Sequence, residues 1–396
     1  MSGSSSSFPV TCDLAIAGAG LAGGLIALAL AEYRPDLNVL LVDAADHAGG
    51  NHVWSFFDSD VDDAARALLS PMVAHRWEGG HDVHFPGYDR HLASPYNSMT
   101  STLLDAHLRD RLGDGLLLDR RIADVLPDAI LLDDGTQIAA KGVIDARGLS
   151  HKDLYKAGIA CGWQKFVGQT LRLASPHGLT CPVIMDATVD QADGYRFVYL
   201  LPVGDRQIFV EDTYYTDGPQ LDHDVIRARI AAYATDRGWT VEAVEHEECG
   251  VLPVVKGGDF ESLWPVEDPV ARAGTRAGLF HHTTSYSVPM AAEFALHLAR
   301  SDRLEGCALA EETRRWASTH WRACGYYRLL DTMLFDAAPP AERYGIFERF
   351  YRLPEPLIAR FYAGRSSAAD KIRILCGRPP VRIRAAMQAL MKRKRA

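Results

Sequence analysis

Glu211 and Asp212 are the residues best suited to moving a proton, because their two carboxyl groups directly follow an apolar segment of the chain. Apolar and aromatic residues at 195–202, a turn at 203–206 and a returning segment at 207–213 predict a β-hairpin. Burying an ionised carboxylate is costly, so a buried acid here would have a raised pKa and could donate a proton near neutral pH. The alternative is that the strand ends at Glu211 and both acids are solvated.

The register of this hairpin decides which side chains each acid faces. Successive side chains alternate between the two faces of a strand. A turn centred between residues 204 and 205 would place Glu211 with Arg196 and Val198, and Asp212 on the face that carries three aromatic residues, Tyr195, Phe197 and Tyr199. A three-residue loop would exchange the two faces.

A second group of residues, near the N-terminus, has the spacing of a dinucleotide-binding site. An apolar run at 14–17 precedes three glycines in G-x-G-x-x-G order, an apolar helix at 25–31 and a second apolar strand that ends in an acid. Such glycines allow a tight turn and close approach to a pyrophosphate, the helix N-terminus faces that anion, and the acid binds a ribose hydroxyl. The predicted cofactor contacts are Gly18, Ala19, Gly20, Leu21, Ala22, Gly23 and Asp43.

Residues 14–31 carry no charge, and an uncharged run of this length also permits a membrane-spanning interpretation. Three motif glycines interrupt the run, however, and Asp13 and Glu32 flank it closely. A buried strand–helix unit explains these glycines and a membrane span does not, so the sequence favours the buried unit.

The composition is that of a folded protein with a large core, since 47% of the 396 residues are hydrophobic and 23% are charged. The seven cysteines are scattered and form no C-x-x-C pair, which predicts reduced thiols in the cytoplasm. The histidines lack ligand spacings such as H-E-x-x-H, so we expect no metal. A serine hydrolase is not expected without a G-x-S-x-G segment. Residues 1–10 contain no Lys or Arg, which predicts no secretory signal.

The C-terminal end is basic, although the whole chain has a net charge of −9. From Lys371 onward there are nine Lys or Arg residues and no acid, interleaved with apolar positions. This pattern predicts a surface that meets an anionic membrane. A solvated helix whose charges only aid solubility is an equal alternative. Nucleic acid is disfavoured as a partner because the remainder of the chain is acidic.

The order of predicted elements indicates an α/β fold. Residues 141–145 predict a strand that enters a small-residue turn. By itself this segment equally fits any strand followed by a turn, but flavoproteins with two dinucleotides place such a returning strand beside the cofactor. Together with the N-terminal motif it makes Ala146 and Gly148 predicted cofactor contacts. Helices are predicted at 100–112, capped by Ser101 or Thr102, at 224–233 and at 291–299, with a hairpin at 133–136 and a return strand at 272–282.

We predict four regions: a disordered tail at 1–11; a Rossmann-type nucleotide domain at 12–150 and 270–300; a β-rich substrate-binding domain at 151–269; and a helical region at 301–396 that ends in the basic tail.

Several long segments resemble bacterial lycopene β-cyclases. The resemblance extends from about residue 12 to residue 390, and it is carried by residues 18–22, 24–28, 49–56, 182–191, 194–202, 211–215, 277–281, 349–354 and 358–364. It implies an FAD-binding nucleotide domain and a peripheral membrane enzyme on the cytoplasmic side of the bacterial inner membrane. Such an enzyme needs reduced FAD, with NAD(P)H as the usual electron source.

The implied reaction closes the linear ψ end groups of lycopene into β-ionone rings, through γ-carotene to β-carotene, with no net redox change. The resemblance places the essential acid at Glu211, and we expect Asp212 to stabilise the cation or to receive the departing proton. Three aromatic side chains are expected to line the substrate pocket and to stabilise the cation by about 1–2 kcal/mol each, namely Tyr195, Phe197 and Tyr199.

The resemblance adds Gly50, Asn51, Ser285 and Tyr286 to the expected cofactor contacts. Where family members often have Pro-Thr-Thr-Gly-Tyr, this chain has His-Thr-Thr-Ser-Tyr at 282–286, so Ser285 replaces a glycine suited to unusual backbone angles.

Three other functions share parts of this pattern. A flavin-dependent monooxygenase would consume oxygen and add mass to its substrate. A prenyl-chain reductase would add two hydrogens per double bond. A membrane-docking protein without enzymatic activity would bind no flavin.

Overall fold

The computed structural model describes residues 10–376, 384, 387–389 and 391. Between residues 10 and 376 the strands are β1 (Val10–Ala17), β2 (Val39–Val42), β3 (Val53–Phe57), β4 (Val73–Trp77), β5 (His81–Phe85), β6 (Tyr88–Leu92), β7 (Tyr96–Thr100), β8 (Leu116–Leu117), β9 (Ile122–Leu126), β10 (Ala129–Leu132), β11 (Gln137–Asp145), β12 (Ala160–Leu173), β13 (Val183–Asp186), β14 (Tyr195–Gly204), β15 (Gln207–Thr216), β16 (Val241–Gly257) and β17 (Ala271–Arg272). The α-helices there are α1 (Leu21–Tyr33), α2 (Asp63–Leu69), α3 (Ser101–Leu112), α4 (His151–Lys156), α5 (His223–Asp236), α6 (Phe260–Leu263), α7 (Val288–Ala299), α8 (Gly306–Ala323), α9 (Gly325–Asp336), α10 (Tyr344–Phe350), α11 (Glu355–Tyr362) and α12 (Ala368–Leu375).

The first sheet has the order β8-β2-β1-β11-β10-β9, and β17 pairs with β11. Its centre is parallel, because β1 pairs in parallel with both β2 and β11. Parallel strands covered on both faces are apolar along their length, as β2 is, with the sequence Val-Leu-Leu-Val. Helix α1 packs between this sheet and α7 and buries nine residues around its circumference. This is the nucleotide-binding half of the predicted α/β fold.

Residues 14–31 therefore lie in β1, the following turn and α1, and the membrane-spanning interpretation of this run is wrong. Within the described residues, no helix combines the length and the apolarity that crossing a bilayer requires.

The second sheet has the order β16-β12-β15-β14-β13-β5-β6 and is antiparallel except for the β13–β5 pair. It includes β5 and β6, which the sequence analysis assigned to the nucleotide half. A small third sheet, β3-β7-β4, lies between residues 53 and 100. One face of the second sheet packs on α5 and the other packs on the aromatic residues of α9, α10 and α11. One face of the sheet is therefore covered by a single helix, and the other faces an aromatic cluster.

Of the two registers that the sequence allows for the β14–β15 hairpin, the one with a turn centred between residues 204 and 205 is wrong, and the faces are exchanged as in the alternative. Gly204 pairs with Gln207 around a two-residue turn, but Pro202 pairs with Ile208, so that Val203 is an extra residue in the ladder. This bulge shifts the pairing by one position and exchanges the faces. Glu211 consequently lies opposite Tyr199.

Most other predicted elements are present with different ends. The helix at 100–112 begins at Ser101, and its N-cap is Thr100, which accepts from the Leu103 N–H, whereas the sequence analysis favoured Ser101 or Thr102. The predicted strand at 272–282 is reduced to β17, because a 3₁₀ turn at Gly274–Ala277 interrupts it. The strand predicted at 141–145 is the end of a longer strand, β11, which begins at Gln137.

Candidate active site

A single cavity of roughly 800 Å³ joins the nucleotide-binding half to the second sheet and the C-terminal helices. The turn between β1 and α1 forms one part of its wall. Aromatic side chains of α10 and α11 form another part. Most of its lining is apolar, with a few carboxyl, hydroxyl and backbone groups. A site of this size and character suits a cofactor together with a hydrocarbon ligand.

The β1–α1 turn lies unusually close to neighbouring backbone. Gly18 has φ +101°, and a Cβ there would lie 2.9 Å from the Ala146 carbonyl group. A Cβ on Gly23 would lie 2.0 Å from the Gly18 carbonyl oxygen, so the third glycine is required for packing of the helix on the turn. Both approaches exclude a side chain.

The start of α1 is open to the cavity. A Cβ on Gly20 would meet nothing within 4 Å, and this N-cap residue has no side chain to cap the helix. No acid lies in the first turn, so unpaired N–H groups and the positive helix end face the cavity. Asp43 accepts from the Ala19 N–H at 2.7 Å and from the Ala45 N–H at 2.9 Å, and it also lines the cavity. This donor set and this carboxylate fit a dinucleotide.

The cavity brings together most of the predicted cofactor contacts: Gly18, Gly20, Leu21, Ala22, Asp43, Gly50, Ala146, Gly148, Ser285 and Tyr286. Three others lie outside its lining. Ala19 donates its N–H to Asp43, Gly23 packs on the turn, and Asn51 is exposed and donates its amide to the Glu247 carbonyl oxygen at 2.6 Å. Ser285 adopts the left-handed conformation with φ +57°, and its hydroxyl donates to the Pro253 carbonyl oxygen at 2.7 Å.

We call the β1–α1 turn together with Asp43 the cradle. Another part of the cavity wall is one face of the second sheet. The residues on this face alternate with those on the other face along four neighbouring strands, and they line the cavity. They are Glu248, Gly250 and Leu252 on β16, Gln164 and Phe166 on β12, Glu211 and Tyr215 on β15, and Phe197 and Tyr199 on β14. Within each strand these positions follow the two-residue period, and the bulge at Val203 sets β14 against β15.

Glu211 is an acid held away from bulk water. Its side chain keeps some accessible surface because it borders the cavity, but burial, together with the negative charge of Glu248, raises its pKa to about 8. The Thr213 hydroxyl donates to Glu211 Oε1 at 2.5 Å and opposes this rise. A carboxyl group in this setting holds a proton at neutral pH and can donate it into the cavity.

Asp212 lies on the opposite face of the sheet, outside the cavity. Its two oxygens accept from Arg196 Nε at 2.8 Å and Nη2 at 3.0 Å, and Oδ2 also accepts from the Tyr214 hydroxyl at 2.8 Å. Burial raises its pKa although the Arg196 guanidinium lowers it. The contact with cavity residues that the sequence analysis expected for Asp212 is therefore wrong, because the bulge turns this carboxylate towards α5.

The three predicted aromatic pocket residues share the Glu211 face. Phe197 and Tyr199 line the cavity, whereas Tyr195 lies behind its wall and stacks on Phe347 with ring centroids 4.4 Å apart. The Tyr199 hydroxyl donates to the Tyr96 hydroxyl at 2.6 Å, which fixes the ring next to Glu211.

Glu248 is the residue of this wall that the sequence analysis missed. It is 3% exposed and lines the cavity. The available signal was the pair of acids at 247 and 248 inside a segment of alternating strand residues, which is the same signal that singled out Glu211 and Asp212.

Potential metal ligands occur together in two places among the described residues. One group is His282, His320 and Cys324, and the other is Asp82, His91 and Cys181. None of these residues lines the cavity. The absence of a metal stays a prediction.

The fold is that of FAD-dependent oxidoreductases and halogenases. A geranylgeranyl bacteriochlorophyll reductase-like protein from Thermoplasma acidophilum superposes with a TM-score of 0.60 at 12% identity and covers 97% of this chain and 100% of its own. HpxO from Klebsiella pneumoniae, solved with FAD and uric acid, gives a TM-score of 0.57 at 15% identity and covers 89% of this chain and 96% of its own.

Sequence comparison then identifies the family. The model described as "Lycopene cyclase protein" matches residues 13–388, so this chain belongs to the lycopene cyclase family. A lycopene beta-cyclase of Pseudescherichia vulneris is 44% identical over 379 residues, 96% of this chain and 97% of that protein. One from a Paracoccus species is 42% identical over 388 residues, 97% of this chain and 98% of that protein. The family predicted from the sequence is confirmed.

Replacing Gly18 with Ala is expected to reduce FAD retention at least tenfold, because the new Cβ would lie 2.9 Å from the Ala146 carbonyl group at the cradle. The measurement is the flavin-to-protein absorbance ratio after purification. Gly113→Ala is the matched control, since Gly113 also has positive φ (+49°) but a Cβ there would meet nothing within 4 Å. Equal flavin loss in both variants would show that backbone strain alone, and not the cradle, causes the effect.

Proposed function

We propose that this chain is a lycopene β-cyclase that converts the ψ end groups of lycopene into β-ionone rings, an isomerisation with no net redox change. The observation that carries the proposal is the position of Glu211, a carboxyl group whose pKa is raised to about 8, inside an aromatic cavity that is continuous with a dinucleotide cradle. Its relatives from Pseudescherichia vulneris and Paracoccus bear the name lycopene beta-cyclase.

The proposed reaction begins with a proton from Glu211. Because Oε1 accepts from the Thr213 hydroxyl, Oε2 is the oxygen left to hold the acidic proton. Protonation of the terminal double bond at C2 leaves a tertiary cation at C1, and the C5=C6 double bond attacks it to close a six-membered ring. Loss of the C6 proton restores C5=C6, so substrate and product are isomers.

The aromatic wall has two functions in this scheme. It excludes water, which would otherwise capture the cation as an alcohol, and its ring faces stabilise positive charge by about 1–2 kcal/mol each. Phe197, Tyr199, Phe347, Phe361 and Tyr362 line the cavity and are available for this purpose.

The cradle is proposed to hold FAD. Gly18, Gly20 and the open start of α1 would bind the pyrophosphate, and Asp43 would bind a ribose hydroxyl. When bound in its reduced form, FAD supplies negative charge that favours a cation nearby. We propose NAD(P)H as the source of electrons that keep it reduced, following the sequence resemblance.

Lycopene is a C40 hydrocarbon, so we propose that the chain takes it from a membrane as a peripheral protein on the cytoplasmic side of the inner membrane. The anionic membrane surface would be the partner of the basic tail, most of which lies outside the described residues. Within the described part of this tail, Ile372 and Leu375 of α12, together with Met387 and Met391, are exposed apolar side chains. Leu375 and Met387 also line the cavity.

Changing Lys392, Arg393, Lys394 and Arg395 to Gln is expected to weaken binding to anionic vesicles at least tenfold, because each basic residue near such a surface contributes about 1 kcal/mol. Co-sedimentation with vesicles that contain 30% anionic lipid measures the effect, and neutral vesicles serve as the reference. Arg120→Gln with Arg121→Gln, two exposed positions far along the chain from the tail, is the control. Unchanged partitioning would assign the tail charges to solubility alone.

The experiment that tests the proposed function is expression of the intact chain in lycopene-producing cells. The pigments are separated by chromatography, and their molecular masses are measured by mass spectrometry. A cyclase yields γ-carotene and β-carotene with the mass of lycopene. A monooxygenase would add oxygen, a prenyl-chain reductase would add two hydrogens per reduced bond, and a membrane-docking protein would leave lycopene unchanged. Any of these three results would overturn the proposal.

A further inference from the structure

Two glutamates face the same cavity across one strand. Gly168 of β12 pairs with Glu211 on one side and with Glu248 on the other. Residues directly paired in neighbouring strands point to the same face of a sheet, and both glutamates line the cavity. Their Cα atoms are therefore about 10 Å apart, which is two strand spacings.

The two carboxyl groups have different surroundings. Glu248 Oε2 accepts from the Val53 N–H at 3.0 Å, and His52 Nδ1 lies 3.4 Å from the same oxygen. The backbone N–H is a fixed hydrogen-bond donor to this carboxyl group. Glu211 has only the Thr213 hydroxyl as its hydrogen-bond donor among the described residues, and its pKa is raised. Neighbouring carboxyl groups in such contrasting environments suit separate acid and base roles.

One oxygen of Glu248 remains available. Oε1 is buried and has no hydrogen-bond partner within the described part of the chain. A buried, unsatisfied carboxylate oxygen is costly for a fold and requires an explanation. Glu248 lines the cavity as a residue, and Oε1 is its oxygen that no donor of the described chain occupies, so a turn of the side chain would bring Oε1 to the occupant of the cavity.

The Phe209 ring prevents a direct hydrogen bond between the carboxyl groups of Glu211 and Glu248. A Cβ on Gly168 would lie 2.4 Å from Phe209 Cζ, so the ring tip occupies the space between Glu211 and Glu248 where a side chain of Gly168 would be. A direct carboxyl–carboxylate hydrogen bond, in which one proton is shared, is thereby disfavoured. The acid and the base stay distinct.

We propose that Glu248 is the base that removes the C6 proton and so completes the β-ionone ring, a role that rests on the proposed cyclase function. After the C1–C6 bond has formed, the C6–H bond breaks, its electron pair forms C5=C6, and the proton joins Glu248 Oε1. Glu211 has lost one proton and Glu248 has gained one. Between turnovers Glu248 releases its proton to water and Glu211 takes one up, so the starting state is restored with no net consumption of acid, base or oxidant.

The position of the base determines which ring isomer forms. The cyclised cation at C5 can lose a proton from C6 to give the β ring, from C4 to give the ε ring, or from the methyl group on C5 to give an exocyclic double bond. All three products have the mass of lycopene. A base held at one place selects one of them, and a merely structural residue would not affect this ratio.

The test is Glu248→Gln in the full chain, assayed with purified, flavin-loaded protein on lycopene in vesicles. The Gln amide oxygen can still accept from Val53 N–H, but it cannot take a proton. We expect β-ring formation to fall about a hundredfold or more, the contribution of a positioned base. We also expect the share of ε and exocyclic rings in the remaining product to rise.

Glu247→Gln is the matched control, because Glu247 is the neighbouring residue on the opposite face of β16, where it pairs with Arg227. It should retain the wild-type rate and product ratio. Glu248→Asp keeps a carboxylate and should recover β-ring selectivity in part. If Glu248→Gln does not fold, as judged by lost flavin binding and circular dichroism, Glu248→Asp decides alone: a slower reaction with more of the other ring isomers supports the proposal.

Wild-type rate and products in folded Glu248→Gln would overturn the inference. So would equal rate losses in the Gln and Asp variants with the β-ring share unchanged, or, where only the Asp variant folds, its wild-type behaviour. Failure of the wild-type chain to make any cyclic carotenoid is a different result, and it would remove the proposed function itself.

Discussion

Glu211→Gln is expected to lower β-ring formation by about a thousandfold while the protein still folds and binds FAD. The variant keeps the shape of the side chain and an oxygen that accepts from Thr213, but it has no proton to donate, and general acid catalysis contributes roughly 10²- to 10⁴-fold. The measurement is the initial rate of γ-carotene formation by flavin-loaded protein. Flavin content and melting temperature, determined in parallel, report whether the fold is intact.

The raised pKa of Glu211 also predicts how the activity of the wild-type protein depends on pH. Glu211 must be protonated to act, and its pKa is raised to about 8, so the rate should be level near neutral pH and should fall as pH rises through about 8. Between the ordinary value of 4.5 and about 8 the folded state holds more protons than the unfolded state. Stability should therefore decrease as pH rises through this window, and Glu211→Gln should remove that contribution.

A Glu211→Gln protein that still forms β-carotene at the normal rate would remove the acid assignment. Thr213→Val is a useful companion, because it deletes the hydroxyl that lowers the pKa of Glu211 without touching the carboxyl group. Its rate should decline at a higher pH than that of the wild type. An unchanged decline would mean that another group sets the pH dependence.

The sequence predicted the nucleotide half well, because its elements are local and strongly patterned. Residues 14–43 contain the strand, glycines, helix, second strand and acid within one continuous stretch, and the close contact of Gly23 with Gly18 is local to it. The contact of Gly18 with Ala146 is not local, and the motif predicted it only through the known role of these glycines. The structure places Gly18, Gly20 and Asp43 in one cavity wall as expected.

The orientation of the two acids could not be obtained in the same way. It depends on one extra residue, Val203, whose bulge leaves no clear mark in the sequence and inverts every side chain that follows. Glu248 was missed for a related reason. Its proximity to Glu211 arises from β12 lying between β15 and β16, and sheet order is a non-local property that periodicity alone does not reveal.

Asp212→Asn is expected to destabilise the protein by about 3–5 kcal/mol, because it leaves the buried Arg196 guanidinium without its counter-charge. Asp212 is fully buried, Arg196 is 7% exposed, and two hydrogen bonds join them. The loss should appear in chemical denaturation monitored by tryptophan fluorescence, while the rate per folded, flavin-loaded molecule at low temperature stays near that of the wild type. The double variant Asp212→Leu with Arg196→Met removes both charges and should recover much of the stability.

The contrast between neighbouring acids makes this prediction decisive. Glu211→Gln should remove activity with little loss of stability, and Asp212→Asn should do the reverse, because the sheet separates the cavity from the face that packs on α5. If folded Asp212→Asn lost its activity and kept the wild-type stability, the chemistry would need a carboxylate that reaches the cavity from the other face. The register set by Val203 would then have to be wrong, and with it the assignment of Glu211 and Glu248 to one wall.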